Sequence, residues 1–475
     1  MTDAFDPALA PPVCRMSATE LVSLYQRGAL SPVEVTSCVL AQAETINPRF
    51  NAFVLIDADG ALAAATASEK RWLRGEPLGP IDGVPATIKN LVSVRGWPLR
   101  MGSCSTSAEV VTEDAPTAKS LREGGAILVG ATTTCEFGWK GVADSPFSGV
   151  VRNPWNPALT AGGSSGGAAI AATTGCGVFH LGSDGGGSIR IPAAFCGLVG
   201  HKPSFGRVPY FPPSAFGTVG HLGPITRTPA DAALMLDVMS ARDIRDWHQN
   251  PLPFPATTPG LAEFGWRGLR IGLWTQMPGI QVDPEVLAAV TQAASAMESM
   301  GAVVEPITLP GEDDLLSLFN TLWFAGAAAR VAKIAPKARE QVDPGLLRAA
   351  KVGAAHSAAD FANANSRRAV FGISMDRLLN DYDLIISPTT PVAAFEAGHD
   401  VPPSSGQAFW TEWACFNFPL NLSQQPACSV PCGVTRAGLP IGLQIVGPKA
   451  GDALVLAAAA AYMNAKPQEP WQGRR

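Results

Sequence analysis

Short apolar runs alternate with amphipathic stretches from Gly83 almost to the end of this 475-residue chain, and that alternation limits the folds open to it. Val84 to Val94 contains a strand-like run. Ala118 to Glu123 reads as helix, Gly124-Gly125 closes it, and Ala126 to Val129 reads as strand. The sequence repeats this order later: an amphipathic helix over Pro284 to Met300, Gly301 as the residue that ends it, then a strand over Ala302 to Ile307. Asp383 to Ile386 and Pro440 to Val446 read as buried strands, and Asp452 to Met463 as a closing helix. Strands separated by helices return in the same direction, so the expected fold is α/β: one large domain with a central mixed, mostly parallel β-sheet covered by helices. Residues 1–60 read as a helical N-terminal layer. Ser17-Ala-Thr-Glu20 and Ser31-Pro32-Val33-Glu34 are both helix starts, and Asn47-Pro48 should end the second helix. Residues 61–475 read as one continuous unit, with Pro251 to Pro259 as a surface connection or hinge.

Composition narrows the classes further. Hydrophobic residues make up 47% and charged residues 16%, which suits a large buried interior and excludes general disorder. The formal net charge is −5 and no basic block occurs, so no nucleic-acid partner is expected. Met1 to Pro12 has neither a basic nor an apolar signal region, and the small-residue stretch Gly166 to Gly182 is too interrupted to span a membrane. Nine cysteines are scattered, and Cys428 and Cys432 have no matching second pair. Neither a disulfide framework nor a zinc site is expected, and a reducing cytoplasm fits best. None of the six histidines has a neighbour at metal-ligand spacing, so no metal or cofactor is expected.

Two glycine-rich clusters carry serines. Residues 161–167 read A-G-G-S-S-G-G and residues 183–190 read S-D-G-G-G-S-I-R. Consecutive N–H groups on such a backbone can face one small anion without a Cβ in the way. Beside a serine, that cradle suits the oxyanion formed when a carbonyl is attacked. A serine hydroxyl is a weak nucleophile and needs a base. Lys89, in the apolar run Gly83-Val-Pro-Ala-Thr-Ile-Lys-Asn90, is the candidate: burial without an anionic partner lowers a lysine pKa until the amine can accept a proton near neutrality. Two other readings compete. Gly162-Gly-Ser164-Ser-Gly166 matches the G-x-S-x-G nucleophile elbow, but that elbow follows a strand, and Asn153-Pro154 and Asn156-Pro157 argue against one here. The glycines could instead cradle the phosphate of a nucleotide in a non-catalytic binding protein, although no G-K-[ST] accompanies them.

G-G-S-S-G-G followed by D-x-G-G-S-I-R-x-P, with G-V-P-x-x-I-K-N upstream, resembles the amidase signature family. Gly197 to Pro203, Gly223 to Arg227 and Gly438 to Gln444 extend the resemblance over nearly the whole chain, from about Ser17 to Gly447. It departs at Asn90, where the family usually has aspartate. The resemblance implies a Ser–cis-Ser–Lys triad, with Ser188 as nucleophile, Ser164 as relay reached through a cis peptide, and Lys89 as base. It implies an oxyanion hole of main-chain N–H groups from Gly185, Gly186, Gly187 and Ser188. Gly138 and Trp139, in the loop before the relay serine, are the implied substrate contacts. Ser165, Asp184 and Arg190 are supporting residues, the last two as an ion pair bracing the nucleophile turn. Phe409, Trp410, Trp413, Phe416 and Phe418 either line the pocket or pack the core. The implied reaction is hydrolysis of aryl, alkyl or cyclic amides, with carbamates and esters also open, through an acyl-enzyme. The family also includes the glutaminase component of a tRNA-dependent amidotransferase; the uncharged stretch Trp413 to Leu420 argues against that reading. A homodimer is compatible with the resemblance.

Overall fold

The computed structural model describes residues 5–6 and 10–466. The described residues form thirteen strands: β1 (Phe53–Ile56), β2 (Pro85–Lys89), β3 (Ile127–Thr132), β4 (Arg152–Asn153), β5 (Asn156–Thr160), β6 (Phe179–Asp184), β7 (Val199–Lys202), β8 (His221–Thr226), β9 (Arg270–Leu273), β10 (Val303–Pro306), β11 (Leu384–Pro388), β12 (Ala427–Val434) and β13 (Pro440–Val446). All but β4 and β5 form one sheet in the order β1-β3-β2-β6-β8-β7-β12-β13-β11-β9-β10. The mixed α/β sheet expected from the alternation is therefore there. Its parallel pairs form two blocks, β3-β2-β6 and β11-β9-β10. Antiparallel pairs join the blocks through β8, β7, β12 and β13, more of them than strand–helix alternation alone suggested.

The N-terminal layer follows its caps. Ser17 and Ser31 each close a capping box, with Glu20 and Glu34 answering the serine N–H, and Pro32 sits just inside the second helix. Two expectations for this layer need correction. The second helix runs from Pro32 to Phe50, through Pro48, which is exposed, as is Glu44, whose carbonyl loses its partner. Water can satisfy that carbonyl, the buried Phe50 anchors the last turn, and Asn51 in the left-handed region ends it. The layer is also not wholly helical, because β1 is the edge strand of the main sheet, antiparallel to β3. The proline-rich segment lies on the surface as expected, but Thr257 and Thr258 tie it to Asp237, which argues against a hinge.

The central strands position the site. In β2, Ala86 and Ile88 join the core cluster shared with the helices Ala18–Gln26 and Pro116–Glu123. By the two-residue period of a strand, Thr87 and Lys89 point to the opposite face. There Thr87 Oγ1 meets His180 Nδ1 at 2.9 Å, and Lys89 ends the strand beside β6. Parallel strands put Lys89 of β2 and Asp184 of β6 at the same, C-terminal edge, where α/β sheets place their ligands. The short helix Gly166–Thr173 follows the first glycine cluster and is wholly buried. A Cβ at Gly167 would lie 2.4 Å from the Ala52 carbonyl, so only glycine lets this helix press onto the sheet edge. Opposite, the long helix Glu312–Ala332 packs on Pro344–Gly353 and Ala358–Asp381. By length and composition Glu312–Ala332 could cross a membrane, but in this fold its residues Phe319, Trp323 and Phe324 are core.

Candidate active site

Lys89 has no exposed surface, and its Nζ lies within hydrogen-bond distance of three hydroxyls: Ser164 at 2.7 Å, Ser165 at 2.9 Å and Ser183 at 2.9 Å. Burial pushes its pKa down to about 7; the more distant Cys135 and Asp184 pull the other way. No carboxylate forms an ion pair with it among the described residues. The amine therefore titrates near neutrality and faces groups that can both donate and accept. The Gly163–Ser164 peptide is cis, and it delivers Ser164 to the amine. Ser165 does more than cap locally: its hydroxyl donates to the Ser183 carbonyl and accepts from the Ser183 N–H, both at 3.2 Å, and so ties the first serine loop to β6. Ser183, to which no sequence motif gives a role, is the third hydroxyl on the amine.

Ser188 sits beyond β6 and is buried to 3% exposure. It borders the same cavity as Ser164, a space of about 580 Å³. No hydrogen bond joins the two hydroxyls; the link between their loops is the Ser165 N–H donating to the Ser188 carbonyl at 3.2 Å. The turn carrying Ser188 is fixed by Asp184. Its carboxylate takes a two-pronged hydrogen bond from Arg190, Nε to Oδ2 and Nη2 to Oδ1, both at 2.9 Å. Burial opposes the Asp184 charge, but Arg190, Lys202 and Asn421 outweigh it and hold the carboxyl well below the usual range. Arg190 in turn reaches Asn421 and Gln444, two braces that no local pattern near the serines announces. Asp184 also accepts from the N–H groups of Gly187 and Ile189. That corrects the expected oxyanion hole: the Gly187 N–H is occupied, while those of Gly185, Gly186 and Ser188 carry no hydrogen bond among the described residues. Gly187 serves the turn instead, at φ +123°, where a Cβ would also strike Asn417.

The walls of the cavity correct two further expectations. Gly138 borders it as expected, 3.4 Å from Ser164 Oγ at the position a Cβ would take. Trp139 does not. It is 1% exposed, packs under Gly345, and offers only its carbonyl, to Trp323 Nε1. Phe137, one residue before the expected pair, supplies the aromatic wall, with Tyr210, Phe216 and Trp323. Trp410, Trp413, Phe416 and Phe418 are core, Trp410 lying directly behind Gly186, and Phe409 packs on Phe324. Asn90 has a positioning role. Its Oδ1 accepts from the N–H groups of Arg100 and Met101, and its Nδ2 donates to the Pro98 carbonyl, which holds the loop presenting Leu99 and Met101 to the cavity.

Neither His221 nor His201 is set up as the base for a serine. His221 borders the cavity, but its Nδ1 is turned to the Val219 carbonyl and no carboxylate supports it. Burial, with Lys202 adding to it, keeps the ring neutral. His201 pairs with Asp452, which also takes the Ser204 hydroxyl, so that serine meets the acid and not the imidazole. A strand, β5, does precede the first serine cluster, contrary to expectation, because Pro157 is tolerated in a two-stranded side ribbon. The elbow reading still fails, since the group on Ser164 is an amine.

A buried amine on a serine, two glycine-rich serine loops and one shared cavity narrow the family, and comparison with known proteins decides it. The amidase family profile matches residues 34–456. The chain belongs to the amidase signature family. An acylamidase of Rhodococcus erythropolis is 34% identical over 97% of both chains. A glutamyl-tRNA(Gln) amidotransferase component from Myxococcus xanthus is also 34% identical, over 94% of this chain and 96% of its own. The crystal structure of a bacterial aryl acylamidase of the amidase signature family superposes with a TM-score of 0.89 at 31% identity, covering 98% of this chain and all of that one. This amidase is thus a hydrolase of C–N bonds other than peptide bonds.

Proposed function

We propose that this amidase cleaves aryl or alkyl amides through an acyl-enzyme on Ser188, with Lys89 and Ser164 moving the proton. Neutral Lys89 accepts a proton from Ser164, whose hydroxyl swings to accept that of Ser188 as Ser188 attacks the carbonyl. The N–H groups of Gly185, Gly186 and Ser188 receive the oxyanion. The proton returns by the same route to the leaving nitrogen, which must be protonated to depart. Water then releases the acid by the reverse relay. The observation that carries this reading is the 2.7 Å contact between a fully buried, near-neutral Lys89 and Ser164 on a cavity that also holds Ser188.

The substrate class rests on the walls. Phe137, Phe216 and Trp323 give the cavity an apolar aromatic lining, which supports anilides and hydrophobic amides, with carbamates and esters as further substrates. The acylamidase relatives support the same class. The glutaminase alternative keeps a comparable sequence match but needs a free carboxylate for the glutamine ammonium. Asp184 is the acid on the cavity among the described residues, and Arg190 consumes it. Nine free thiols support a reducing cytoplasm as the setting. The test is a panel of anilides, primary amides, carbamates, esters and glutamine, compared by kcat/KM in wild type and Ser188→Ala. Anilide turnover that vanishes in the variant, with fluorophosphonate labelling lost at the same residue, supports the reading. Unchanged turnover in Ser188→Ala would overturn it.

A further inference from the structure

One wall of the cavity carries two cationic side chains that form no ion pair among the described residues. Arg330 and Lys333 border the cavity from the last turn of the helix Glu312–Ala332 and the residue after it. Arg330 is half-buried, with its guanidinium 4.0 Å over the Phe137 ring and Nη2 at 3.2 Å from Met101 Sδ. A ring face and a thioether occupy little of a group with five N–H donors. No carboxylate pairs with Arg330 or Lys333 among the described residues. Glu136, beside Phe137, is close enough for its charge to favour the Arg330 cation, but its carboxylate hydrogen-bonds the Ser103 hydroxyl and the Asp343 N–H and not the guanidinium. Asp184, across the cavity, is spent on Arg190.

The helix also sets a distance. Trp323 abuts the oxyanion loop, since a Cβ on Gly185 would lie 2.7 Å from its ring. Arg330 lies seven residues on, two turns, or roughly 10 Å along the axis at 1.5 Å per residue. We propose that Arg330, assisted by Lys333, binds an anionic group at the end of the substrate remote from the scissile bond, so that the preferred substrates are amides carrying a distal carboxylate and no adjacent ammonium. This rests on the amidase reading above and narrows its substrate class. The stacking on Phe137 fixes the planar guanidinium, which favours a two-pronged contact with a carboxylate.

Matched pairs of amides test it: hexananilide against adipic acid monoanilide for an anion on the acyl side, and 4-methylacetanilide against 4-acetamidophenylacetate for the amine side. In wild type, the anionic member of one pair should exceed its neutral partner in kcat/KM by about tenfold or more, mainly through KM, and the advantage should shrink in 0.5 M NaCl. Arg330→Gln should bring that ratio close to one, and Arg330→Lys should keep part of it, with circular dichroism checking that both fold. A ratio at or below one in both pairs, a ratio preserved in Arg330→Gln, or an equal loss on both members of a pair would overturn the proposal. Turnover of the neutral anilides in that event would leave the amidase reading standing. If no amide were hydrolysed, calorimetry of adipic acid monoanilide and of 4-acetamidophenylacetate on Ser188→Ala protein, with and without Arg330→Gln, still reads the subsite: binding of either that needs Arg330 supports it, and binding of neither, or binding that does not need Arg330, ends it.

Discussion

Two buried lysines separate what burial does from what neighbours do. Lys89 and Lys202 both lack exposed surface, both end strands of the central sheet, and burial pushes both down to about 7. Their partners differ. Lys89 Nζ meets three serine hydroxyls, whereas Lys202 Nζ donates to the carbonyls of Pro203 at 3.0 Å and Gln425 at 2.6 Å. A hydroxyl can rotate to give its proton to a neutral amine, and a carbonyl has no proton to give. Lys202 also lies off the cavity that Ser164 and Ser188 share. A lowered pKa thus makes an amine available, and only the first of these lysines has something to take a proton from. Lys202 acts as a tie between β7 and the segment before β12.

The sharpest way to break that contrast is to remove each amine. Lys89→Ala should lower kcat by about a thousandfold, in the range general-base removal produces. Lys202→Met should lower it by less than about tenfold once folded protein is compared, since its carbonyl ties take no part in proton transfer. The pH profile separates them further. Reaction needs neutral Lys89, so the wild-type rate should rise with pH through about 7 and level above it. Lys202→Met should keep that limb, and Lys89→Ala should replace it with a residual rate that climbs with hydroxide. A limb lost in Lys202→Met and kept in Lys89→Ala would reverse the assignment.

In stability the two lysines should behave alike. Each is depressed from 10.5 to about 7 in the folded protein. Between those values the unfolded chain holds the proton and the folded one does not, so stability rises with pH across that window. The penalty is fully present below about 7 and relieved toward 10.5. Denaturant titrations at about pH 7 and about pH 10 should show a rise of roughly a few kcal/mol per lysine, and Lys89→Met or Lys202→Met should each remove its share. Equal slopes in wild type and both variants would show that the amines stay charged when buried.

The residues of the proposed centre stand out in the sequence because its parts are local: a lysine in an apolar run, and serines set among glycines that need close backbone approach. The sheet's parallel blocks followed from strand–helix alternation for the same reason. What was illegible depends on contacts far apart in the chain. Strands such as Val199–Lys202 and His221–Thr226 carry glycine, histidine and proline, and central burial overrides their poor propensity. Asn421 and Gln444 brace Arg190 from more than 200 residues away. Trp139 was expected at the pocket and Phe137 is there, because Phe137 and Gly138 both take positive φ and turn the loop one residue early. The Gly187 N–H was expected to be free, and only the Asp184 geometry shows that it is spent.

Asn90 offers the finest test of the same contrast, because it changes the field at Lys89 and leaves Lys202 untouched. Its Oδ1 holds the Arg100 and Met101 N–H groups, and a carboxylate could keep both. Asn90→Asp would add a negative charge one residue from Lys89, as the family's usual pattern does, and lose the Nδ2 hydrogen bond to the Pro98 carbonyl. An anion nearby favours the ammonium, so the ascending limb of the pH–rate profile should move up by roughly half a unit. KM for anilides should change little if the Leu99–Met101 wall keeps its place. A limb that moves down would mean that Lys89 is not the group being titrated. A limb that stays still while KM rises would mean that position 90 acts on the wall alone.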